Sequence, residues 1–267
     1  MTDEHAKRGI DFDKPNAARV YDYLIGGKLN YAIDRMFAEN LLKVRPDAKD
    51  LALLNRRWLR RAVRFGAEQG VRQFLDIGSG MPTVGHVHEI VQAIAPDSRV
   101  VYVDNEPVAV AHSEIVLQDN DNAVMVHADA EYPADILDHE TTLGLLDFDQ
   151  PVMLIMAAFI HFIPDERDPA GLIAAYRDAL VPGSYLALSS GTFEGQEEVV
   201  RRAAALYQKS GTDVFARSRE ELSVLVDGFE LVEPGIVFTP EWRPDDPADV
   251  GPHPELASQL ALVGRKA

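Results

Sequence analysis

Five consecutive residues, Asp76-Ile77-Gly78-Ser79-Gly80, combine a carboxylate with a glycine turn. They close an apolar run from Gln73 to Ile77 that reads as a strand. They precede Val84 to Ala95, which reads as a helix. Two glycines two apart let the backbone bend tightly and approach a ligand closely. A helix start behind them would offer free N–H groups, and Pro82 suits its first turn, where a missing N–H costs nothing. A dinucleotide turn wants a third glycine where this chain has Thr83, and Gly85 comes two residues late. Asp76 is more telling. A carboxylate there repels a diphosphate and favours a ligand with positive charge, such as an amino group or a sulfonium.

Two more acids fall at equivalent points. Asp104 closes the strand Val100 to Val103, and Asp129 closes a strand read over Ala123 to His127. A carboxylate at the tip of a second strand can accept both hydroxyls of a ribose. One at the tip of the third can take an adenine amino group. Each alone reads as a loop residue or a helix cap. Together they mark the carboxyl edge of one sheet, where open α/β folds bind ligands.

The elements around these acids support that placement. After Gly70, short apolar strands alternate with helices: a helix over Pro107 to Leu117, a strand over Val152 to Ala157, a helix over Ala170 to Leu180 and a strand over Tyr185 to Ser189. Such alternation predicts a parallel sheet with helices on both faces. Helices are expected over Glu197 to Lys209 and Arg219 to Val226. Strands are expected over Phe229 to Phe238 and Leu260 to Arg265, with no helix between them, so the sheet should end in an antiparallel pair. Before residue 70 the pattern is helical, over Pro15 to Leu24, Asn30 to Val44 and Asp47 to Gln69. The arginines of the third segment (Arg56, Arg57, Arg60, Arg61 and Arg64) read as a solvated face. The expected division is an N-terminal helical cap over 1–69 and a Rossmann-like domain over 70–267.

Composition narrows the partners. The 267 residues hold 26 Lys and Arg against 43 Asp and Glu, a net charge of −17. That argues against a broad nucleic-acid face, which needs basic residues, and against acidic membranes. The absence of cysteine removes disulfides, thiolate metal sites and a cysteine nucleophile. Val152 to Ile160, the longest apolar run, is half a membrane span, and the N-terminus lacks the apolar core of a secretion signal. A cytoplasmic protein is the expectation, with its oligomeric state open.

The three acids and the acid-x-Gly-x-Gly turn resemble class I S-adenosylmethionine-dependent methyltransferases over about residues 70–266. Ala18-Arg19-Val20-Tyr21-Asp22-Tyr23, Gly26-Gly27-Lys28, Asn30-Tyr31, Asp34-Arg35, Asn55-Arg56 and Gly80-Met81-Pro82-Thr83 further resemble one bacterial family. It was long labelled a domain of unknown function and is now described as S-adenosyl methyltransferases. The resemblance implies a seven-stranded Rossmann-like sandwich and S-adenosylmethionine as cofactor. It implies contacts from Asp76, Gly78, Ser79, Gly80, Asp104, Asn105, Asp129, Ala130, Ala157 and Tyr21. The acceptor is expected to be a small molecule, methylated on oxygen or nitrogen, as in specialised metabolism.

His161, in His161-Phe162-Ile163-Pro164-Asp165, follows the fourth strand and is the candidate base; a pocket-lining role is the alternative. Tyr21, Tyr23 and Tyr31 could offer aromatic faces to adenine or the sulfonium. Gly26-Gly27 reads as a hinge or a helix C-cap. Asn55 and Arg56 could reach the cofactor or face solvent. No metal is expected, because the fourth strand ends in Ala157-Ala158 rather than an acid. His86 and His88, two apart on the expected helix, should point to opposite faces, at least one of them to solvent. Two other readings stay open: a non-catalytic S-adenosylmethionine sensor and an NAD(P)-dependent oxidoreductase.

Overall fold

In the computed structural model, residues 11–82 and 85–267 are described. The chain begins with three helices, α1 (Ala17–Leu24), α2 (Ala32–Val44) and α3 (Ala48–Glu68). Strands and helices then alternate: β1 (Gln73–Ile77), α4 (Val87–Ile94), β2 (Arg99–Asp104), α5 (Pro107–Leu117) and β3 (Ala123–His127). Next come α6 (Pro133–Leu137), α7 (Glu140–Leu145), β4 (Val152–Ala157), α8 (Pro169–Asp178) and β5 (Tyr185–Gly191). The chain ends with α9 (Glu197–Lys209), α10 (Arg219–Leu225), β6 (Phe229–Leu231), β7 (Val237–Phe238) and β8 (Gln259–Lys266). Among these residues no helix is long and apolar enough to cross a membrane.

The strands form one sheet in the order β3-β2-β1-β4-β5-β8-β6, with β7 also on β8. Strands β1 to β5 pair in parallel, and β8 runs antiparallel to β5, β6 and β7. This is the expected Rossmann-like sandwich with eight strands rather than seven. The segment expected as one strand, Phe229 to Phe238, is broken between Leu231 and Val237. Pro234 there has no N–H to donate, and Gly235 turns with φ +85°. Helices α6 and α7 are additions to the expected pattern, too short to show a clear helical period.

Strands β1 and β4 sit mid-sheet and are buried nearly throughout, as their unbroken apolar runs require. One face packs on α8 and α10 through Leu172, Ile173, Tyr176 and Leu222. The other packs on α3 and α4 through Trp58, Leu59, Ala62, Val63 and Val91. So α3, grouped with the cap by its place in the chain, is part of the sheet's own core. Its arginines divide accordingly. Arg57 and Arg60 are exposed, whereas Arg61 is buried and donates to the carbonyls of Trp242 and Thr239, 2.9 and 2.7 Å away.

What stands above the sheet's carboxyl edge is a smaller cluster. Val20 and Leu24 of α1, Phe37, Ala38 and Leu41 of α2, and Ala48 and Ala52 of α3 pack with Leu206 and Tyr207 of α9. Helix α1 stops at Gly26, whose φ of +86° provides the left-handed C-terminal turn. A Cβ on Gly27 would collide with the Asp22 carboxylate. The pair therefore acts as a C-cap.

Candidate functional site

Between the carboxyl edge and the helical cluster lies a cavity of about 570 Å³. All eleven candidate residues line it: Tyr21, Asp76, Gly78, Ser79, Gly80, Asp104, Asn105, Asp129, Ala130, Ala157 and His161. The strand register explains the gathering. Asp76 pairs with Tyr102, one residue short of each strand's last pair, and Asp104 pairs with His127, just before Asp129.

Gly78 and Gly80 have φ of +66° and +70°, a region side chains disfavour. A Cβ on Gly78 would strike the Phe159 ring at 2.7 Å, so this glycine is also required by contact. The turn is tied to β2. Ser79 N–H donates to the Val103 carbonyl (3.0 Å), and Gly80 N–H donates to Asp104 Oδ2 (2.7 Å). Asp104 Oδ1 accepts from Glu106 N–H (2.8 Å). Asp104 is thus fixed by two backbone donors, each leaving lone pairs for a ligand. Burial still raises its pKa, against those donors.

Asp76 differs. It is 5% exposed, and its carboxylate accepts no hydrogen bond among the described residues. Burial pushes its pKa up to about 7; Arg56 opposes the shift and Asp104 adds to it. Ser79 Oγ is likewise buried without a partner among the described residues. An orphaned acid and hydroxyl beside an open cavity fit a ligand bearing ammonium or sulfonium charge, and they fit a diphosphate poorly. Asp129 Oδ1 accepts from Glu131 N–H (3.0 Å), and Tyr176 donates to the adjoining Ala130 carbonyl (2.9 Å).

The cap contributes Tyr21, but its hydroxyl is already used. It donates to the Ala52 carbonyl (2.9 Å) and accepts from Asn55 Nδ2 (3.1 Å). Asn55 Oδ1 accepts from Ser189 Oγ (2.7 Å), which accepts from Ala158 N–H (2.9 Å). Asn55 therefore faces neither solvent nor a ligand alone: it joins α1 to the tips of β4 and β5. Arg56 lines the cavity and donates to the Gly85 carbonyl (3.1 Å). Tyr23 and Tyr31 lie away from the cavity. Lys49 Nζ stands over the first ring, while Phe12 and Arg19 pack on the second.

Two expectations near the glycine turn are corrected. The helix begins only at Val87, so Pro82 lies in the connection before it rather than in its first turn. Thr83 and Val84 lie outside the described residues, as do residues 1–10. His86 is then the N-cap in extended conformation, not a helical residue. Its ring stacks on that of His88 at 5.3 Å, and neither is exposed.

Sequence reasoning missed the cavity's other side. Leu24 of α1 and Ile25 just past its end, Leu51 of α3, and Phe162, Tyr207 and Asp213 line it. They come from distant parts of the chain, and only the packing of α9 against α2 brings them together.

The model of a family described as S-adenosyl methyltransferase matches residues 3–267. Among solved structures, a proposed methyltransferase from Thermobifida fusca YX is 40% identical, with 97% of each chain covered and a TM-score of 0.92. A DUF574 family protein from Streptomyces avermitilis MA-4680 is 39% identical, covering 96% of this chain and 99% of its own, with a TM-score of 0.93. Among proteins with curated descriptions none matches the sequence. With the family model matched over nearly its whole length, this chain belongs to the S-adenosyl methyltransferase family.

Proposed function

We propose that the protein transfers a methyl group from S-adenosylmethionine to an oxygen or nitrogen of a small molecule. The observation that carries this reading is Asp76, a nearly buried carboxylate at the cavity wall with no hydrogen-bond donor of its own. In this reading Asp76, Gly78, Ser79 and Gly80 hold the amino-acid end of the cofactor. Asp104 and Asn105 hold the ribose, Asp129 and Ala130 the adenine, and Ala157 and the Tyr21 ring flank the sulfonium. When bound, S-adenosylmethionine supplies an activated methyl group that a lone pair of the acceptor displaces in line from sulfur. The chain's own task is then alignment and exclusion of water, worth on the order of 7–11 kcal/mol.

Helices α1 and α2 and the first turns of α3 serve as the cap in this reading. The cavity's apolar side, through Leu24, Leu51, Phe162 and Tyr207, provides a separate place for the acceptor. That second region favours catalysis over a sensor that binds the cofactor alone. Asp76 weighs against an NAD(P)-dependent oxidoreductase, since a diphosphate would meet its charge. The excess of acidic residues supports a small-molecule acceptor rather than a nucleic acid, and we place the reaction in the cytoplasm.

The test is to incubate the protein with methyl-labelled S-adenosylmethionine and a panel of small carboxylates, phenols and amines. Label in an acceptor, matched by S-adenosylhomocysteine, is the expected result. Tight cofactor binding with no transfer to any class would favour the sensor.

A further inference from the structure

His161 sits in a short 3-10 turn, Ile160–Phe162, just past the tip of β4. Its ring lines the cavity beside Phe162, with ring centres 4.5 Å apart. The Gly191 N–H points at Nδ1, 3.2 Å away. A peptide N–H can only donate, so Nδ1 must present its lone pair. A neutral imidazole accepting at Nδ1 carries its proton on Nε2. Among the described residues Nε2 has no partner. The cavity is thus faced by an N–H, not by a lone pair.

The backbone holds this orientation. The His161 carbonyl accepts from Phe215 N–H (2.7 Å). Arg217, itself buried, donates to the carbonyls of Ile160 (2.9 Å) and Ile163 (2.7 Å) and pairs with Asp165 (2.8 Å). Burial first, and then the positive charge of Arg217, lower the His161 pKa to about 4. Asp213, exposed beyond the end of α9, also lines the cavity, as do Asp76, Asp104, Asp129 and Glu131. The ring is therefore neutral near pH 7, and its free nitrogen already holds a proton.

We infer that His161 is not the base of the reaction but a fixed hydrogen-bond donor that orients the acceptor and selects an oxygen that is anionic at neutral pH. The inference rests on the cavity being the methyl-transfer site. An amine has one lone pair, which must face the methyl carbon, and a donor aimed at it would block attack. A carboxylate oxygen has lone pairs to spare. One forms the new bond to carbon, the pair of the broken carbon–sulfur bond stays on sulfur, and another accepts from Nε2–H. No proton leaves the acceptor in this step, so no base is required.

The first test reads the tautomer in the protein alone, by two-bond proton–nitrogen spectra of chain labelled with ¹⁵N in its histidine rings. His161→Gln assigns the resonance. The expected result is an Nε2–H tautomer that does not titrate around neutral pH. An Nδ1–H tautomer, or a ring that charges near neutrality, would overturn the donor role whatever the cofactor proves to be. The second test titrates the protein, saturated with S-adenosylhomocysteine, with benzoate and with benzylamine. Benzoate should bind more tightly. His161→Gln, which keeps a donor, should retain most of that affinity, and His161→Phe should lose about tenfold or more. Tighter binding of benzylamine, binding of neither, or equal benzoate affinity in the Phe variant would overturn the selection of oxygen. Failure of S-adenosylhomocysteine to bind would instead count against the methyltransferase reading, leaving the tautomer result standing.

Discussion

Arg19 of the cap and Glu106 beyond the tip of β2 form an ion pair of 2.9 Å in which the arginine is 1% exposed. The same guanidinium meets Asp34 of α2 at 2.9 Å. Glu106 in turn donates its backbone N–H to Asp104. The cap is therefore joined through buried charge to the acid assigned to the ribose. Removing one member of a buried pair strands the others at a cost of about 3–5 kcal/mol. Arg19→Ala should lower stability by that order in urea unfolding and loosen cofactor binding with it. An unchanged unfolding midpoint would show that α1 is not anchored this way.

On the proposed reading Asp104→Ala removes the ribose acceptor, and with it the partner of the Gly80 and Glu106 N–H groups. Losing that charged acceptor should weaken S-adenosylmethionine binding by about 1.5–3 kcal/mol, roughly tenfold to over a hundredfold. Calorimetric titration of the folded variant checks this. Unchanged affinity would remove Asp104 from the ribose.

The two turn glycines should not be equivalent. Alanine at either adopts a left-handed conformation costing about 1–2 kcal/mol. At Gly80 the added Cβ meets nothing among the described residues nearer than Ala18 Cβ at 3.9 Å, so the cost should stop there. At Gly78 it also enters the Phe159 ring, 2.7 Å away, and must displace it. Gly78→Ala should therefore be the more destabilised in thermal unfolding and should bind cofactor less well. Equal losses would mean that Phe159 shifts freely.

Asp76 predicts a pH dependence. Its proton is released at about 3.8 in the unfolded chain and at about 7 in the fold. Between those values the folded form holds a proton that the unfolded form has lost. Its contribution to stability therefore falls as pH rises through that window and is lowest above it. Asp76→Asn should remove this loss, gaining on the parent protein as pH is raised from about 4 to about 7. Cofactor binding should show the opposite sign. A cationic ligand favours the ionised acid, so affinity should rise with pH up to about 7, with proton release on binding below it. Urea midpoints and calorimetry in buffers of different ionisation enthalpy measure the two effects.

The site's floor was legible in the sequence because it follows strand order. Gln73 to Ile77, Ala123 to His127 and Val152 to Ala157 were expected with the bounds they have, and a parallel register then brings Asp76, Asp104 and Asp129 to one edge. What failed depended on contacts that no local period encodes. Arg61 carries a charge yet lies buried, because the Trp242 and Thr239 carbonyls need a donor. His86 and His88 come together because the helix starts at Val87. Tyr23 and Tyr31 share a helical neighbourhood with Tyr21, but only packing decides which ring reaches the cavity. The His161 tautomer rests on Gly191, far along the chain, and so could not be read from the motif around it.

On the proposed reading this cavity takes S-adenosylmethionine on its three strand-tip acids. Calorimetric titration of the purified protein with S-adenosylmethionine, S-adenosylhomocysteine and NAD in parallel tests it most directly. Saturable binding of the first two and none of NAD is the expected result. Binding of NAD alone would contradict it and would mean that the buried charge of Asp76 does not choose the ligand.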